Sequence, residues 1–306
     1  MTETRYALTA ISASGQPNAF ARLNQVLLPF LDENHEVKAL PVPRSLAEQR
    51  SARVYSLPIG VDVDLLSQSL NRLDSELPLD WAIQTVASRV RQYRLAVFDM
   101  DSTLIQCEVI DEIARVAGVG QQVAAITDRA MRGELDFQDS FIERVALLKG
   151  LEAGAVDRLI KEMPITEGVG ELILTLRARG IYTAILSGGF LPFARQLQQQ
   201  FGFDEVHANE LDIDQGILTG RVQSPIVDGV YKRNALMDIA KRQKIALDDT
   251  IAVGDGANDL PMLMTAGLGV AYAAKPMIQQ QVNCRLNHVG LDGVLYYLGA
   301  GSELND

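Results

Sequence analysis

Leu95-Ala96-Val97-Phe98-Asp99-Met100-Asp101-Ser102-Thr103 is the stretch that decides the fold. Its first four residues are apolar, which suits a strand buried on both faces of a parallel sheet. Asp99 and Asp101 follow at i and i+2, so at the strand's C-terminal tip their side chains point the same way. Two crowded carboxylates repel each other unless a cation lies between them. Carboxylate oxygens are the ligands Mg²⁺ takes, with positions left for water and phosphate. A solvated acidic turn would carry the same letters, so the motif needs support from elsewhere in the chain.

That support comes from two further strand ends. Ile251-Ala252-Val253 is a second apolar run, followed by Gly254-Asp255-Gly256-Ala257-Asn258-Asp259. The glycines allow a tight turn and close approach of a ligand. Asp255 adds a third carboxylate to the expected metal site, and Asn258 and Asp259 open a helix that runs to Ala266. Between the two acidic motifs, a strand over Ile181–Leu186 leads into Ser187-Gly188-Gly189. A hydroxyl and free backbone N–H groups where a strand passes into a helix suit a phosphate. Lys232, near the start of the next expected helix, supplies a fixed positive charge. Three strand ends bearing acid, hydroxyl and acid, with one lysine, are far more specific than any one of them.

Composition narrows the classes. The chain has 306 residues, 47% hydrophobic and 22% charged, so it is globular and long enough for two domains and an insertion. A net charge of −11 disfavours nucleic acid and anionic membranes as partners. It still permits an anionic substrate, because a bound Mg²⁺ and a few basic side chains reverse the potential locally. No run approaches 18 consecutive apolar residues, and Met1–Ala10 lacks the basic and apolar regions of a signal peptide. Only Cys107 and Cys284 occur, which argues for a reducing compartment. These features together predict a cytoplasmic protein. With three histidines, a His-based metal cluster is not expected.

Along the chain, residues 1–90 read as strand Tyr6–Ser12, a turn at Gly15–Pro17, helix Ala19–Leu31, strands Glu36–Pro41 and Arg53–Pro58, helix Asp64–Leu73, and strand Trp81–Val86. That βαββαβ order predicts a small α+β ferredoxin-like sandwich. Residues 91–306 read as an α/β unit with a doubly wound parallel sheet. It is interrupted over about 104–175 by helices Val109–Ala117, Gln121–Met131, Gln138–Leu148 and Ala155–Glu162, with Gly118, Gly133 and Gly150 as stops. The core resumes with a helix over Ile173–Arg179. In such sheets ligands sit at the carboxyl ends of the strands, where every candidate residue falls.

The motifs resemble the haloacid dehalogenase-like superfamily, and within it the phosphoserine phosphatases. The matching pieces are DMDSTLIQCEVIDEIA from Asp99, MRGELDFQDSFIERVALLKG from Met131, PITEG from Pro164, LSGGF from Leu186 and AVGDGANDLPML from Ala252. The resemblance runs from about Leu95 to about Tyr297. It implies a Rossmann-like core with a helical cap and an Mg²⁺-dependent phosphomonoesterase acting on phosphoserine in serine biosynthesis. Asp99 would be the nucleophile and Asp101 the acid and base. Mg²⁺ would be held by Asp99, the Asp101 carbonyl and Asp255. Ser187, Gly188, Lys232 and Asn258 would bind the phosphate side, with Asp259 behind them. Glu108, Met131, Phe137 and Arg144 match the family's substrate-binding positions. Competing readings are the same chemistry on another phosphomonoester, phosphate transfer to another alcohol, or an amino-acid-binding regulator that keeps the fold. Residues 1–90 resemble ACT-type domains in element order and in the Gly15–Pro17 turn, which implies an amino-acid effector. A docking module, including a homodimer contact, fits the same pattern.

Overall fold

In the structure, a computed structural model, the described residues are 5–13, 18–41, 50–74 and 77–299. The expected Gly15–Pro17 turn lies outside them. The N-terminal part is β1 (Tyr6–Ala13), α1 (Ala19–Leu27), β2 (Val37–Leu40), β3 (Arg50–Leu57), α2 (Val63–Asp74) and β4 (Leu79–Thr85). These strands lie in the order β2-β3-β1-β4, each antiparallel to its neighbour. That is the ferredoxin-like arrangement that the element order predicts. β3 starts three residues before the apolar run at Arg53 because β1 pairs with it from Ala13 opposite Arg50 to Tyr6 opposite Leu57. A long partner extends a strand beyond its own hydrophobic pattern.

β1 has no solvent face. Leu8 and Ala10 pack with Leu23 and Leu27 of α1, Leu66 and Leu70 of α2, and Trp81 of β4. Ala7 and Ile11, on the opposite face, join a cluster that includes Leu291, Tyr296 and Tyr297 from the far end of the chain. Alternate residues of a strand point to opposite faces, so burial of both makes this small sheet an interior layer.

After α3 (Val86–Arg89) comes β5 (Leu95–Phe98), with all four residues buried. The helical insertion holds α4 (Val109–Val116), α5 (Gly120–Met131), α6 (Phe137–Ala146) and α7 (Ala153–Glu162). Gly118, Gly133 and Gly150 have φ of 73°, 76° and 94°, the left-handed conformation that ends helices cheaply only in glycine. The two linkers to the insertion meet at an Ile105–Ile165 bridge. Gln106 N donates to Pro164 O at 2.9 Å and Thr166 N to Leu104 O at 3.0 Å. From Val169 onward the chain packs with the core. α8 (Val169–Ala178) starts four residues before the expected helix and buries Leu172, Ile173 and Leu176 in the main cluster.

The core continues with β6 (Tyr182–Phe190), α9 (Leu191–Phe201), β7 (Glu205–Asn209), α10 (Gly229–Gln243), β10 (Thr250–Gly254), α11 (Leu260–Leu263), β11 (Leu268–Tyr272), α12 (Pro276–Gln279), β12 (Cys284–Leu286) and α13 (Val294–Tyr297). A short hairpin, β8 (Leu211–Asp214) and β9 (Ile217–Val222), interrupts the alternation and touches the insertion where Leu218 N donates to Leu151 O at 2.8 Å. Strands β12-β11-β10-β5-β6-β7 are parallel. β5 lies between the two strands whose ends carry the other motifs. Among the described residues, no helix is long and apolar enough to cross a membrane.

The N-terminal and core strands form one ten-stranded sheet, because β4 pairs antiparallel with β12. The seam is reinforced on both sides. Asp80 accepts hydrogen bonds from the backbone N–H groups of Asn287, His288 and Val289. The Arg285 guanidinium lies 4.1 Å over the fully buried Trp81 ring. Arg89 donates to Thr9 Oγ1 at 2.6 Å and Tyr296 O at 2.9 Å. A chain that begins at Val90 loses Asp80, Trp81 and Arg89 and uncovers the β12 edge. We expect it to melt at least 10 °C below the full chain or to aggregate, as a loss of several kcal/mol implies. Equal melting temperatures by calorimetry would show that the seam contributes nothing.

Candidate active site

The site is built where β5, β6 and β10 end. Asp99 follows β5 directly, and its N–H donates to Val253 O of β10 at 2.9 Å, so the two strand ends are held side by side. Lys232, fully buried in the first turn of α10, places Nζ 2.7 Å from Asp99 Oδ1 and 2.7 Å from Asp259 Oδ1. α10 is fixed there by its N-cap, Asp228, which accepts from Tyr231 N at 2.8 Å. The other oxygen of Asp259 accepts from Asp255 N at 3.1 Å and Gly256 N at 2.9 Å. Asp259 therefore spends both oxygens on orienting the lysine and the Asp255 loop. Gly254 must be glycine, because a Cβ there would fall 2.5 Å from the Asp259 carboxyl carbon.

Asp101 stands beside Gly189, where an added Cβ would lie 2.9 Å from each of its oxygens. Its Oδ2 accepts from Val109 N at 3.3 Å, while its buried Oδ1 has no hydrogen-bond partner. Ser187 is buried where β6 shifts register against β7, three residues before the strand ends at Phe190, and its Oγ accepts from Gly189 N at 2.8 Å, leaving the hydroxyl proton to donate elsewhere. Gly188 brings three elements together: a Cβ there would meet the Phe137 ring and Val227 O at 3.4 Å and Asn258 Nδ2 at 3.8 Å.

The insertion covers these groups. Phe137, the first residue of α6, stacks on Phe141 at 6.2 Å. Gln138 donates to Asp228 at 2.7 Å and ties α6 to the start of α10. Arg144, two turns after Phe137, is half-buried and donates from Nε to Ser140 O at 3.3 Å. Glu108, at the start of α4, accepts from Ser102 Oγ at 2.7 Å. Met131 ends α5 with 68% of its surface exposed.

The charges are unbalanced. Asp99, Asp255 and Asp259 can each offer an oxygen within 4.8 Å of one another, against a single ammonium. Burial, then repulsion from Asp259, raises the Asp99 pKa well above the ordinary carboxylate range, with Lys232 opposing. Burial and Glu108 do the same to Asp101. Asp255 is pushed up to about 7 by burial, Asp259 and Glu108. Burial lowers the Lys232 pKa, but Asp259 and Asp99 outweigh it and the ammonium keeps its proton. An all-carboxylate donor set with excess negative charge fits a hard divalent cation. Asp99 and Asp255 are the ligands that suit it, since each retains an oxygen outside the bonds described.

The haloacid dehalogenase-like hydrolase profile matches residues 96–264, which contain every one of these groups. The chain belongs to that family. It is 43% identical over 242 residues to the phosphoserine phosphatase of Saccharomyces cerevisiae, covering 78% of each chain. It is 45% identical over 244 residues to the phosphoserine phosphatase SerB2 of Mycobacterium tuberculosis, covering 80% of this chain but only 59% of that longer one. A crystal structure of a haloacid dehalogenase-family hydrolase from Salmonella enterica serovar Typhi superposes with a TM-score of 0.86 at 30% identity, over 98% of this chain and 99% of that one. The Salmonella match includes the N-terminal module.

Two residues of the hydrolase site escape sequence reasoning. Thr103, fully buried, donates from Oγ1 to Asp255 Oδ1 at 3.3 Å and joins the two acidic loops. Its place four residues after Asp99 is the one available signal. Asn209, at the end of β7, donates to Gly188 O and accepts from Val227 N, both at 2.8 Å. Nothing in its sequence neighbourhood marks it.

The raised carboxylates set a pH dependence. Asp255 in the folded chain keeps its proton up to about pH 7, and Asp80, raised by burial, to about 6. In the unfolded chain both lose it near pH 4. Between these limits the folded chain holds more protons at these two groups, so their contribution to stability is greatest at low pH and is lost as pH rises through the folded values. We expect the metal-free protein to unfold at higher urea at pH 5.5 than at pH 8, and Asp255→Asn to reduce the difference. A midpoint that rises with pH would contradict the assignment.

Proposed function

We propose that the chain hydrolyses O-phospho-L-serine to L-serine and phosphate through a phosphoaspartate on Asp99, with Mg²⁺ as the metal. The observation that carries the chemistry is the pair Asp99 and Asp101. The first carboxylate is ion-paired with Lys232. The second is buried, with one oxygen unpartnered and a pKa raised well above the ordinary range. Burial raises the pKa of both. Asp99, however, has the Lys232 ammonium at 2.7 Å and a place in the carboxylate cluster that suits a cation, which favour the ionised form a nucleophile needs. Asp101 has no cation in contact among the described residues and keeps the proton a general acid needs.

Asp99 attacks phosphorus as the bond to the seryl oxygen breaks. Asp101 gives its proton to that oxygen, and serine leaves. Asp101, now ionised, takes a proton from water as the water oxygen attacks phosphorus and displaces Asp99. Lys232 and the Ser187 hydroxyl hold phosphoryl oxygens, with Gly188 and Asn258 beside them. Bound at Asp99 and Asp255, with the Asp101 carbonyl, Mg²⁺ would neutralise charge on the phosphoryl group.

Selection rests on the insertion. Phosphoserine carries an ammonium and a carboxylate beside its phosphate. Arg144 suits the carboxylate, which a guanidinium grips with two parallel bonds, and Glu108, held by Ser102, suits the ammonium. Phe137 excludes water above Gly188, and Met131 would complete that wall. Such an activity completes serine synthesis, and in the cytoplasm Cys107 and Cys284, both unpaired, would stay reduced.

We expect phosphate release from a panel of phosphomonoesters to favour phosphoserine, to cease in excess EDTA and to return with Mg²⁺. Asp99→Asn should form no phosphoenzyme, whereas Asp101→Asn should form it and stall, as read by rapid quench. Arg144→Ala should lose two to three orders of magnitude, roughly, in kcat/KM on phosphoserine and far less on an aryl phosphate. Equal losses on both substrates would assign Arg144 to the fold or to the phosphate, and leave another phosphomonoester as the substrate.

A further inference from the structure

Arg50 opens β3 in the N-terminal module, yet its partners belong to the catalytic part of the chain. Its side chain, 4% exposed, pairs through Nη1 with Asp292 Oδ2, and Asp292 is 5% exposed. Through Nη2 it reaches Glu167 Oε1 at 3.3 Å. Glu167 directly follows the second linker of the insertion, whose Thr166 N–H is bonded to Leu104 O. The next residue, Gly168, has φ of 81°, starts α8 and abuts Asp292, so that an added Cβ would collide with the Asp292 carboxylate. The backbone closes the same contact: Leu291 N donates to Glu167 O at 2.8 Å. One buried cation from the N-terminal module thus fixes the loop against which the cap linker turns.

We propose that Arg50 is a positioning residue for the cap: through Asp292 and Glu167 it sets the second linker, and so the seating of the insertion that carries Phe137, beside Gly188, and Arg144. A buried ion pair has one favourable geometry and holds it, because separating the charges in an apolar setting is costly. A cap moves about its linkers, and residues that fix linker angles govern how often it closes without touching substrate. The N-terminal module then acts on catalysis by mechanical attachment rather than through a group in the pocket. This inference rests on the proposed phosphoserine activity only for its kinetic readout.

The test uses the full chain with Arg50→Lys, Arg50→Met and Glu167→Gln, the last at a largely exposed side chain that leaves the buried pair intact. Hydrogen exchange at Gln106, Thr166 and Leu291 reports the linkers directly and needs no substrate. We expect Arg50→Met to accelerate exchange at these amides at least tenfold, Arg50→Lys to recover most of the protection, and Glu167→Gln to give a smaller rise. In kinetics, Arg50→Met should raise KM for phosphoserine about tenfold with kcat per phosphorylatable site little changed, and leave an aryl phosphate nearly untouched. That effect should vanish in an Arg144→Ala background. Linker exchange that rises no more than global exchange, or equal losses on both substrates, would reduce Arg50 to a stability residue and overturn the proposal. A wild-type chain with no preference for phosphoserine would instead refute the functional reading, and the exchange result would still decide the role of Arg50.

Discussion

The whole site depends on one buried ammonium. Lys232 Nζ is shared at equal distance between Asp99 and Asp259, and neither the lysine nor Asp259 has any exposed surface. Removing one partner of a buried ion pair strands the other charge, at a cost of about 3–5 kcal/mol. Here the consequence spreads. Asp259 also holds the N–H groups of Asp255 and Gly256, and Asp99 is bonded to the β10 end. Lys232 therefore ties β5, β10 and α10 into one rigid corner. What it cannot do is neutralise three carboxylates, and that residual negative charge is what invites a divalent cation.

The division of labour follows from which part of the chain each group stands on. The groups proposed to act on the phosphate, Asp99, Asp101, Ser187, Lys232 and Asp255, are on or directly after core strands or in the buried first turn of a core helix, where the sheet fixes them. Groups suited to the rest of the substrate, Glu108, Phe137 and Arg144, are on the insertion, which joins the core through two linkers and a few contacts such as Gln138 with Asp228. Bond-making geometry needs precision that a sheet supplies, whereas recognition of a small ligand needs enclosure that a moving cap supplies. Asp101 lies at the join, because its Oδ2 accepts from Val109 N, the first residue of the first cap helix.

Much of this was legible in the sequence wherever a local pattern forces one answer. Four apolar residues ending in Asp-x-Asp fit a buried strand presenting two carboxylates once the Gly254–Asp259 and Ser187–Gly189 motifs stand beside them, and β5 occupies the expected residues. Gly118 and Gly133, each directly after a helix C-cap, end their helices because only glycine adopts their positive φ without strain, whereas Gly150, the expected stop after Leu148, lies beyond a helix that ends at Ala146. Legibility fails where the deciding partner is distant. β12 is three residues, Cys-Arg-Leu, with no alternation to mark it, and it is a strand because β11 and β4 flank it. Its pairing with β4 fuses two segments that read as separate units. That Asp259 orients Lys232 was legible from the motifs, but its hold on the N–H groups of Asp255 and Gly256 was not, and Asn209 depends on a glycine carbonyl 21 positions away.

The fused sheet changes what the N-terminal module must be. A ferredoxin-like sandwich on its own buries one sheet face against its helices and leaves the other to water. In this chain the second face of β1 is covered by Leu291, Tyr296 and Tyr297, residues that end the catalytic part. Arg50, Asp80, Trp81, Gln84 and Arg89 all bond or stack across the boundary, and each is buried. Exposed inter-domain ion pairs are worth little and break easily, but buried polar groups are costly to leave unpaired, so such a seam opens only when the chain unfolds. The N-terminal strands therefore join the catalytic core through continuous sheet and the buried Arg50–Asp292 pair, not through a flexible tether. Any influence of the module on the insertion has to pass through the residues that cross that seam.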